Sequence, residues 1–471
     1  MFASTTVQAD IRVDNTGFTL ELPVIITEEG VLRSYLEYLL AFRYKSESWK
    51  RRSVFSIRLL LDYINTNKGV FEKPRDMFRG FSNALFTGTI CGAGNDPSGL
   101  RWTPRKYEDA NFIINLITHY TDYLAEVNED EDLQLNCFRK ASPFEQKLNW
   151  AAYYQKKDRV FLSHLWKRPD AVVLTRRVRS VGLPSKIVSH GAYDIAKAFP
   201  EGRISDLIYH GFVLPSQNNC EMLSKRLNLR DVLMTMLMHY GGLRISEVCH
   251  IYTHDIAEFS GGSLNQVIKI YHPSEGIAPT DERVTRREYL LRRFGLKSRN
   301  EYPGSSKQFA GWKDSLLTNS KDKFFKVEFF PESAREQFFV LWKLYIKYQR
   351  VRPEIGAEHP YAFTSRKGTP YTIKGYAQSN KRAVERIGLT FSKESCTTSH
   401  AHRHRYGQNL AESGVSAIVI KTAMHHRSLE SQNTYTQPTE KQIRLQFKKA
   451  EQNIPTSSST KLTFVAGRQN E

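Results

Sequence analysis

The stretch SHAHRHRYGQNL, residues 399–410, begins with three histidines and two arginines and then continues in a helical pattern. His400 and Arg403 are three residues apart, so both side chains can face one side at the start of a helix. Imidazole and guanidinium groups suit two ligands, a metal ion or a phosphate. Arginine would repel a cation, whereas its planar fork of donors matches two phosphate oxygens. The sequence therefore favours a phosphate site.

A metal site is the alternative at this stretch. His400, His402 and His404 alternate, and imidazoles do bind zinc. However, the sequence contains no HExxH arrangement, and no cysteine or carboxylate is placed to complete a tetrahedral site. We therefore expect no metal and no cofactor.

Length and composition indicate a globular protein of two or three domains. The chain has 471 residues, of which 40% are hydrophobic and 12% aromatic. It contains no apolar run of the roughly 18 residues needed for a membrane span. The N-terminus does not resemble a signal peptide. Five scattered cysteines form no CxxC pair and indicate a reducing compartment. We expect a cytoplasmic protein without a membrane partner.

The charge balance indicates a polyanionic partner. Lysine and arginine total 68 against 49 acidic residues, a net charge of +19. A single basic run is usually a solvated surface, but several runs with so large a net charge favour nucleic acid. The basic runs lie at 49–53, 174–180, 283–299 and 380–386.

The N-terminal part predicts a small helical domain. Residues 1–26 alternate weakly and predict an arm containing a strand. From Thr27, interpreted as a helix N-cap, the pattern becomes helical. Further helices are predicted at 48–64 and 108–127. We therefore assign 27–135 to a helical domain and 136–190 to a connector or insertion.

The C-terminal part predicts a second, larger domain at 191–452. Leu229, Val232, Leu233, Met236, Leu237 and Tyr240 share one helical face typical of a core. Strands are predicted at 265–271 and 323–330, and mostly helices after them. Residues 453–471 predict a flexible tail. The fold class is mainly α with a small antiparallel sheet (α+β).

Three motifs follow one another in order. GGLRISEV (241–248) has the form GxRxxE, HAHRH (400–404) has the form HxxRH, and MHHRSLESQNTY (424–435) has a histidine nine residues before a tyrosine. This set resembles the tyrosine recombinase (phage integrase) family over about 228–440. His425 replaces the glycine usual in that family, and His402 stands where leucine is common. The resemblance implies a helical core-binding domain that clamps DNA, at 27–135, together with a tyrosine-recombinase catalytic domain.

The resemblance also implies a role for each motif residue. Arg244 and Arg403 correspond to the two phosphate-clamping arginines. His400 corresponds to a general acid/base and phosphate ligand, and His426 to a further phosphate ligand. Tyr435 corresponds to the nucleophile. A tyrosine hydroxyl, with an ordinary pKa of about 10, becomes an effective nucleophile when fixed cations surround the phosphate it attacks.

The family also uses a lysine in the turn between two strands that follow the first motif. Here that region, 272–322, is enlarged. We expect Lys313 in AGWKDSL to take this position, with Lys321 and Lys323 as alternatives.

The function implied is site-specific DNA recombination or integration through a 3′-phosphotyrosyl intermediate, for a mobile genetic element. The partners implied are double-stranded DNA, further copies of the chain in a synaptic tetramer, and accessory proteins of the element. The expected location is the cytoplasm, at the nucleoid. The alternatives are a DNA-relaxing enzyme similar to type IB topoisomerases, a non-catalytic DNA-binding protein and a metal-dependent nuclease.

Overall fold

The chain forms two compact units, residues 1–189 and 190–471. The computed structural model describes residues 4–13, 17, 19–158, 168–181, 197–215, 220–258, 266–428, 444 and 447–448. Within these ranges, no helix combines the length and the apolar character that a membrane crossing requires.

The first unit begins with a small antiparallel sheet. Strand β1 (Thr5–Arg12) pairs along its length with β2 (Thr19–Thr27), and β2 pairs with the short β3 (Gly30–Val31). Leu22 and Ile25 of β2 are buried in the core of this unit. The strand predicted within residues 1–26 is therefore confirmed.

The predicted helix start at Thr27 is wrong. Thr27 ends β2, and its hydroxyl donates a hydrogen bond of 3.1 Å to the Gly30 carbonyl, closing the turn into β3. Helix α1 (Arg33–Ala41) begins later, after Leu32. The helices predicted at 48–64 and 108–127 are confirmed. They are α2 (Glu47–Thr66) and α4 (Tyr107–Asn128), and α3 (Pro74–Thr87) lies between them in the chain.

Residues 136–190, for which the sequence pattern predicted no element, contain both helices and strands. The elements are β4 (Phe138–Lys140), α5 (Pro143–Lys157), α6 (Arg168–Thr175) and β5 (Arg177–Arg179). β4 and β5 pair antiparallel. Helix α5 begins with a capping box in which Ser142 and Glu145 satisfy each other's backbone N–H groups.

A buried helix lies at the centre of the second unit. The short helices α7 (Ile204–Asp206), which continues as one wide turn, and α8 (Leu223–Arg226) precede α9 (Leu229–His239). Every residue of α9 except Arg230 is buried, so this helix has no solvent face. Five of the six predicted core positions are therefore confirmed, and the sixth, Tyr240, is half-buried just after the helix ends.

A three-stranded antiparallel sheet follows the one-turn helix α10 (Ile245–Val248). The strands are β6 (Ile256–Glu258), β7 (Gln266–Tyr271) and β8 (Phe324–Lys326). Their order in the sheet is β6–β7–β8, and Ile270 of β7 stands opposite Phe325 of β8. The strand predicted at 323–330 is shorter than expected.

The long connection between β7 and β8 is an ordered insertion. It contains α11 (Arg286–Phe294), whose first residue is fully buried. The Arg286 guanidinium makes two hydrogen bonds to Asp255, of 2.9 and 2.5 Å, and lies 4.1 Å from the ring centroids of both Tyr252 and Tyr271. This buried pair attaches the insertion to the start of the sheet.

After β8, the described residues are mainly helical apart from a loop passage around 350–372, as predicted. The helices are α12 (Ser333–Leu344), α13 (Ile373–Arg386), α14 (Ser399–Glu412) and α15 (Ala417–Ala423). Helix α14 packs directly on the central α9. The predicted tail at 453–471 lies outside the described residues.

Candidate active site

The glycine pair after α9 brings the first motif against α14. Gly242 has φ +65°, and a Cβ there would lie 2.4 Å from the ring of Tyr406 on α14. A Cβ on Gly241 would lie 2.6 Å from Val327. Only glycine allows both the left-handed turn and this close approach. The turn places Arg244 at the N-cap of α10.

The second motif forms the start of α14. Thr398 is its N-cap, so His400 and Arg403 lie in the first turns of the helix, as the sequence predicted. The two side chains differ in their surroundings. His400 is exposed, whereas Arg403 is fully buried.

The buried Arg403 connects all three motifs. Its guanidinium donates hydrogen bonds to the main-chain carbonyls of Gly242 and Met424. The same group donates to Nε2 of His426 at 2.8 Å. Because a guanidinium cannot accept a hydrogen bond, Nε2 of His426 is the acceptor and this imidazole is neutral. Burial and the charges of Arg403 and Arg244 accordingly lower the pKa of His426 to about 3.

Glu247 is a fully buried carboxylate between the two arginines. It accepts a hydrogen bond of 2.6 Å from the Arg244 guanidinium and one of 2.7 Å from the Arg244 main-chain N–H. Its other charged neighbour is Arg403, at 3.8 Å. Burial would raise the pKa of Glu247, but the two arginines outweigh it and hold this pKa at about 2. Glu247 is therefore ionised at neutral pH, and it orients Arg244.

His400 is neutral at physiological pH. Loss of hydration lowers its pKa to about 4, with further contributions from the charges of Arg403, Lys313 and Arg244. The ring of His404 lies edge-on to that of His400, with centroids 4.6 Å apart. A neutral imidazole at the surface of the site can accept a proton.

The insertion between β7 and β8 places Lys313 near His400. Lys313 is exposed, and its ammonium is one of the charges acting on His400. Two residues later, the buried Ser315 donates a hydrogen bond of 2.5 Å to Glu247 and accepts one of 2.9 Å from Arg244. Lys321 and Lys323, the alternatives, do not contribute to the lowered pKa of His400.

The third motif reaches the site through the turn after α15. His425 has φ +56°, a left-handed conformation that glycine adopts without strain, and its ring stacks on Phe325 with centroids 3.6 Å apart. The His425 carbonyl accepts a hydrogen bond of 3.1 Å from Leu316 N–H, and Arg427 forms an ion pair with Asp314. The motif is therefore bound to the segment that carries Lys313.

Five of the six predicted site residues thus converge. Arg244, Lys313 and His400 form an accessible rim, and Glu247, Arg403 and His426 form a buried floor beneath it. The burial of Arg403 was not expected. The sixth predicted residue, Tyr435, lies outside the described residues.

Sequence reasoning missed two sets of contacts. Asp314 and Ser315 lie in a stretch without periodicity that was quoted only for Lys313, and Arg427, although inside the third motif, was given no role. His402 and His239 are buried beneath the site with their Nδ1 atoms 3.1 Å apart. His402 was considered only as a possible zinc ligand and as a departure from leucine, and His239 was not singled out.

Among the described residues, no group of three or more histidine, cysteine or acidic side chains is arranged to hold a metal ion. The site's donors are instead mainly cationic, an arrangement suited to an anion.

Comparisons with known proteins agree with the motif resemblance. Residues 338–442 match the family model described as the phage integrase family. The tyrosine recombinase XerA of Pyrococcus horikoshii is 22% identical over 223 residues, which is 47% of this chain. The chain spans 55% of that relative's length.

Solved structures to which this chain is similar in backbone fold include two complexes with DNA. A Tn1549 transposon integrase bound to transposon right end DNA is 13% identical, with a TM-score of 0.45 over 89% of this chain and 98% of that one. The XerH site-specific recombinase bound to a palindromic difH substrate is 12% identical, with a TM-score of 0.47 over 85% of this chain and 79% of that one.

Proposed function

We propose that this chain, whose residues 338–442 match the phage integrase family model, is a site-specific DNA recombinase that cuts and rejoins DNA strands. The observation that carries the proposal is the convergence of Arg244, Lys313, His400, Arg403 and His426, which come from distant parts of the sequence, around the buried Glu247. The net charge of +19 supports a DNA substrate.

Cleavage proceeds by attack of the Tyr435 phenol on a scissile phosphodiester. The phenolic oxygen forms a bond to phosphorus, and the bond from phosphorus to the 5′ oxygen breaks. Neutral His400 accepts the phenolic proton, and Lys313 protonates the departing oxygen. The products are a 3′-phosphotyrosyl link and a 5′ hydroxyl. A 5′ hydroxyl from a second duplex reverses these steps, so the phosphodiester is restored without ATP or a nucleotide cofactor.

The rim and the floor have different roles in this scheme. Arg244 lies on the accessible rim and donates to the non-bridging oxygens, where negative charge develops in the transition state. Arg403 is buried, so its charge acts from beneath the phosphate while its hydrogen bonds hold the three motifs together. Glu247 partly offsets both charges and fixes their positions. The Arg244→Ala variant should cleave on the order of a hundredfold more slowly.

The assignment of Tyr435 rests on its spacing, nine residues after His426. The family resemblance further implies four protomers on two DNA sites, an action at the nucleoid, and a host element that supplies those sites and any accessory proteins. These features are part of the same proposal.

A nicked DNA substrate tests the chemistry. A duplex is enriched from a random-sequence pool by binding to the full-length chain and is then nicked at successive positions. Cleavage next to a nick releases a short oligonucleotide, so the covalent protein–DNA adduct cannot be reversed. Wild type should form an adduct with the strand labelled at its 5′ end, and Tyr435→Phe should form none.

Three controls separate the alternatives. Tyr348→Phe, at an exposed tyrosine on the same unit, should form as much adduct as wild type. Adduct formation that survives a chelator excludes a metal-dependent nuclease. Relaxation of supercoiled plasmids without paired binding sites would favour a topoisomerase. If wild type forms no adduct, or if Tyr435→Phe still does, the proposal is wrong.

A further inference from the structure

We propose that Ser315 is a positioning residue of this site, which orients the Arg244 guanidinium and connects it to the segment that carries Lys313. The inference rests on the proposed function and extends it to a residue that no motif marks.

The Ser315 hydroxyl both donates and accepts a hydrogen bond within the site. It donates to Oε1 of Glu247 at 2.5 Å and accepts from Nη1 of Arg244 at 2.9 Å. The residue is 1% exposed, so water does not compete for these bonds. A serine hydroxyl can donate one hydrogen bond, and here the acceptor is the Glu247 carboxylate.

The three groups form a closed triangle. Nη1 of Arg244 also donates to Oε1 of Glu247, at 2.6 Å. An arginine held only by a carboxylate can rotate about that single contact. A second acceptor on the same nitrogen removes this freedom and fixes the plane of the guanidinium. The remaining edge of Arg244, which is on the accessible rim, is then aimed in one direction.

The residues on either side of Ser315 bind this segment to the third motif. Leu316 N–H donates to the carbonyl of His425, and Asp314 pairs with Arg427, so both neighbours contact the third motif. Ser315, between them, makes its hydrogen bonds to the first motif. It therefore joins the inserted segment, and with it the exposed Lys313, to Arg244.

This arrangement predicts a specific catalytic defect. Without the hydroxyl, Arg244 keeps its charge and its contact with Glu247 but loses the second acceptor that sets its direction. A small misplacement of a phosphate-binding donor slows the chemical step about ten- to a hundredfold. The decrease in cleavage rate should therefore depend on the charged non-bridging oxygens of the scissile phosphate.

The experiment compares two nicked substrates that differ at one substituent of the scissile phosphorus. One carries the ordinary scissile phosphodiester, and the other a methylphosphonate, in which a methyl group replaces one non-bridging oxygen and removes the charge. Single-turnover adduct formation is measured for wild type, Ser315→Ala and Arg244→Ala. Ser298→Ala is the matched control, because Ser298 is fully buried in the same insertion and its hydroxyl has no hydrogen-bond partner.

Ser315→Ala should be about tenfold or more slower than wild type on the phosphodiester and much closer to wild type on the methylphosphonate. Arg244→Ala should show the same pattern more strongly, and Ser298→Ala should match wild type on both substrates. The ratio of the two rates comes from one preparation and does not depend on how much of it is folded. If Ser315→Ala yields no folded protein, Ser315→Cys, which keeps the size of the side chain and weakens its hydrogen bonds, should show the same change of ratio.

Equal slowing of Ser315→Ala on both substrates would overturn the inference, because a merely structural defect does not distinguish them. Rates equal to those of wild type would overturn it as well. Either result would leave the proposed function intact, since wild type would still form the adduct. Absence of an adduct with wild type on the phosphodiester would overturn both proposals.

Discussion

Replacing Glu247 with glutamine should destabilise the second unit by about 3 kcal/mol at pH 7. The carboxylate is fully buried between two arginines, and its pKa is held at about 2 against an ordinary value of 4.5. Each pKa unit corresponds to about 1.4 kcal/mol of differential stabilisation of the charged form, which gives about 3 kcal/mol. Breaking a buried ion pair by removing one partner costs about 3–5 kcal/mol in general, so the two figures agree.

The pH dependence follows from the direction of the shift. A carboxylate whose pKa is lowered in the folded protein stabilises it fully above the ordinary pKa of 4.5 and loses that effect as the pH falls towards 2. Protonated Glu247 resembles glutamine. The difference in stability between wild type and Glu247→Gln should therefore shrink to about 1 kcal/mol at pH 3.

Denaturant unfolding checks this prediction. Because the chain has two compact units, two transitions are expected, and only that of the second unit should move. Glu385→Gln is the matched control, because the exposed Glu385 pairs with Lys381 across one helical turn and should contribute less than about 1 kcal/mol. If the unfolding free energy of Glu247→Gln lies within about 0.5 kcal/mol of the wild-type value at pH 7, Glu247 does not hold the floor together.

Two further predictions concern the packing beneath the site. His402→Leu should make the fold less sensitive to acid. Burial lowers the pKa of His402 to about 3, so as the pH falls this histidine is protonated in the unfolded chain before it is protonated in the folded one. Between pH 7 and pH 5, the unfolding free energy of wild type should therefore fall by about 2 kcal/mol more than that of the variant, as measured by denaturant unfolding. Equal losses in the two proteins would refute this. Gly242→Ala should lower the unfolding free energy several times more than Gly414→Ala, for which roughly 1 kcal/mol is expected. Both glycines have a positive φ, but only a Cβ at position 242 would meet the Tyr406 ring. Similar shifts in melting temperature for the two variants would contradict this prediction.

The three motifs could be recognised from the sequence because each is local. A helix-breaking glycine pair before Arg244, the three-residue spacing from His400 to Arg403, and the histidine before the predicted nucleophile are all short-range patterns. The family match over 338–442 confirms the resemblance that these motifs indicated. The central helix was equally predictable, because its apolar residues recur with helical periodicity.

The misplaced start of α1 shows the limit of such patterns. Thr27 followed by two glutamates is a typical N-cap sequence, but the chain turns back at Gly30 to pair with β2. Pairing between strands is a tertiary contact, and it overrode the local preference for a helix.

The amino-acid sequence by itself predicted which residues form the candidate site, because motif spacing and helical periodicity are properties of neighbouring positions. Only the tertiary structure decided that Arg403 is buried, that Lys313 acts on His400, and that Ser315 lies between Glu247 and Arg244. The position of Ser315, for example, depends on hydrogen bonds to Glu247 and Arg244, which are 68 and 71 positions away. Such contacts form only when the packed core brings distant segments together, and no local pattern encodes them.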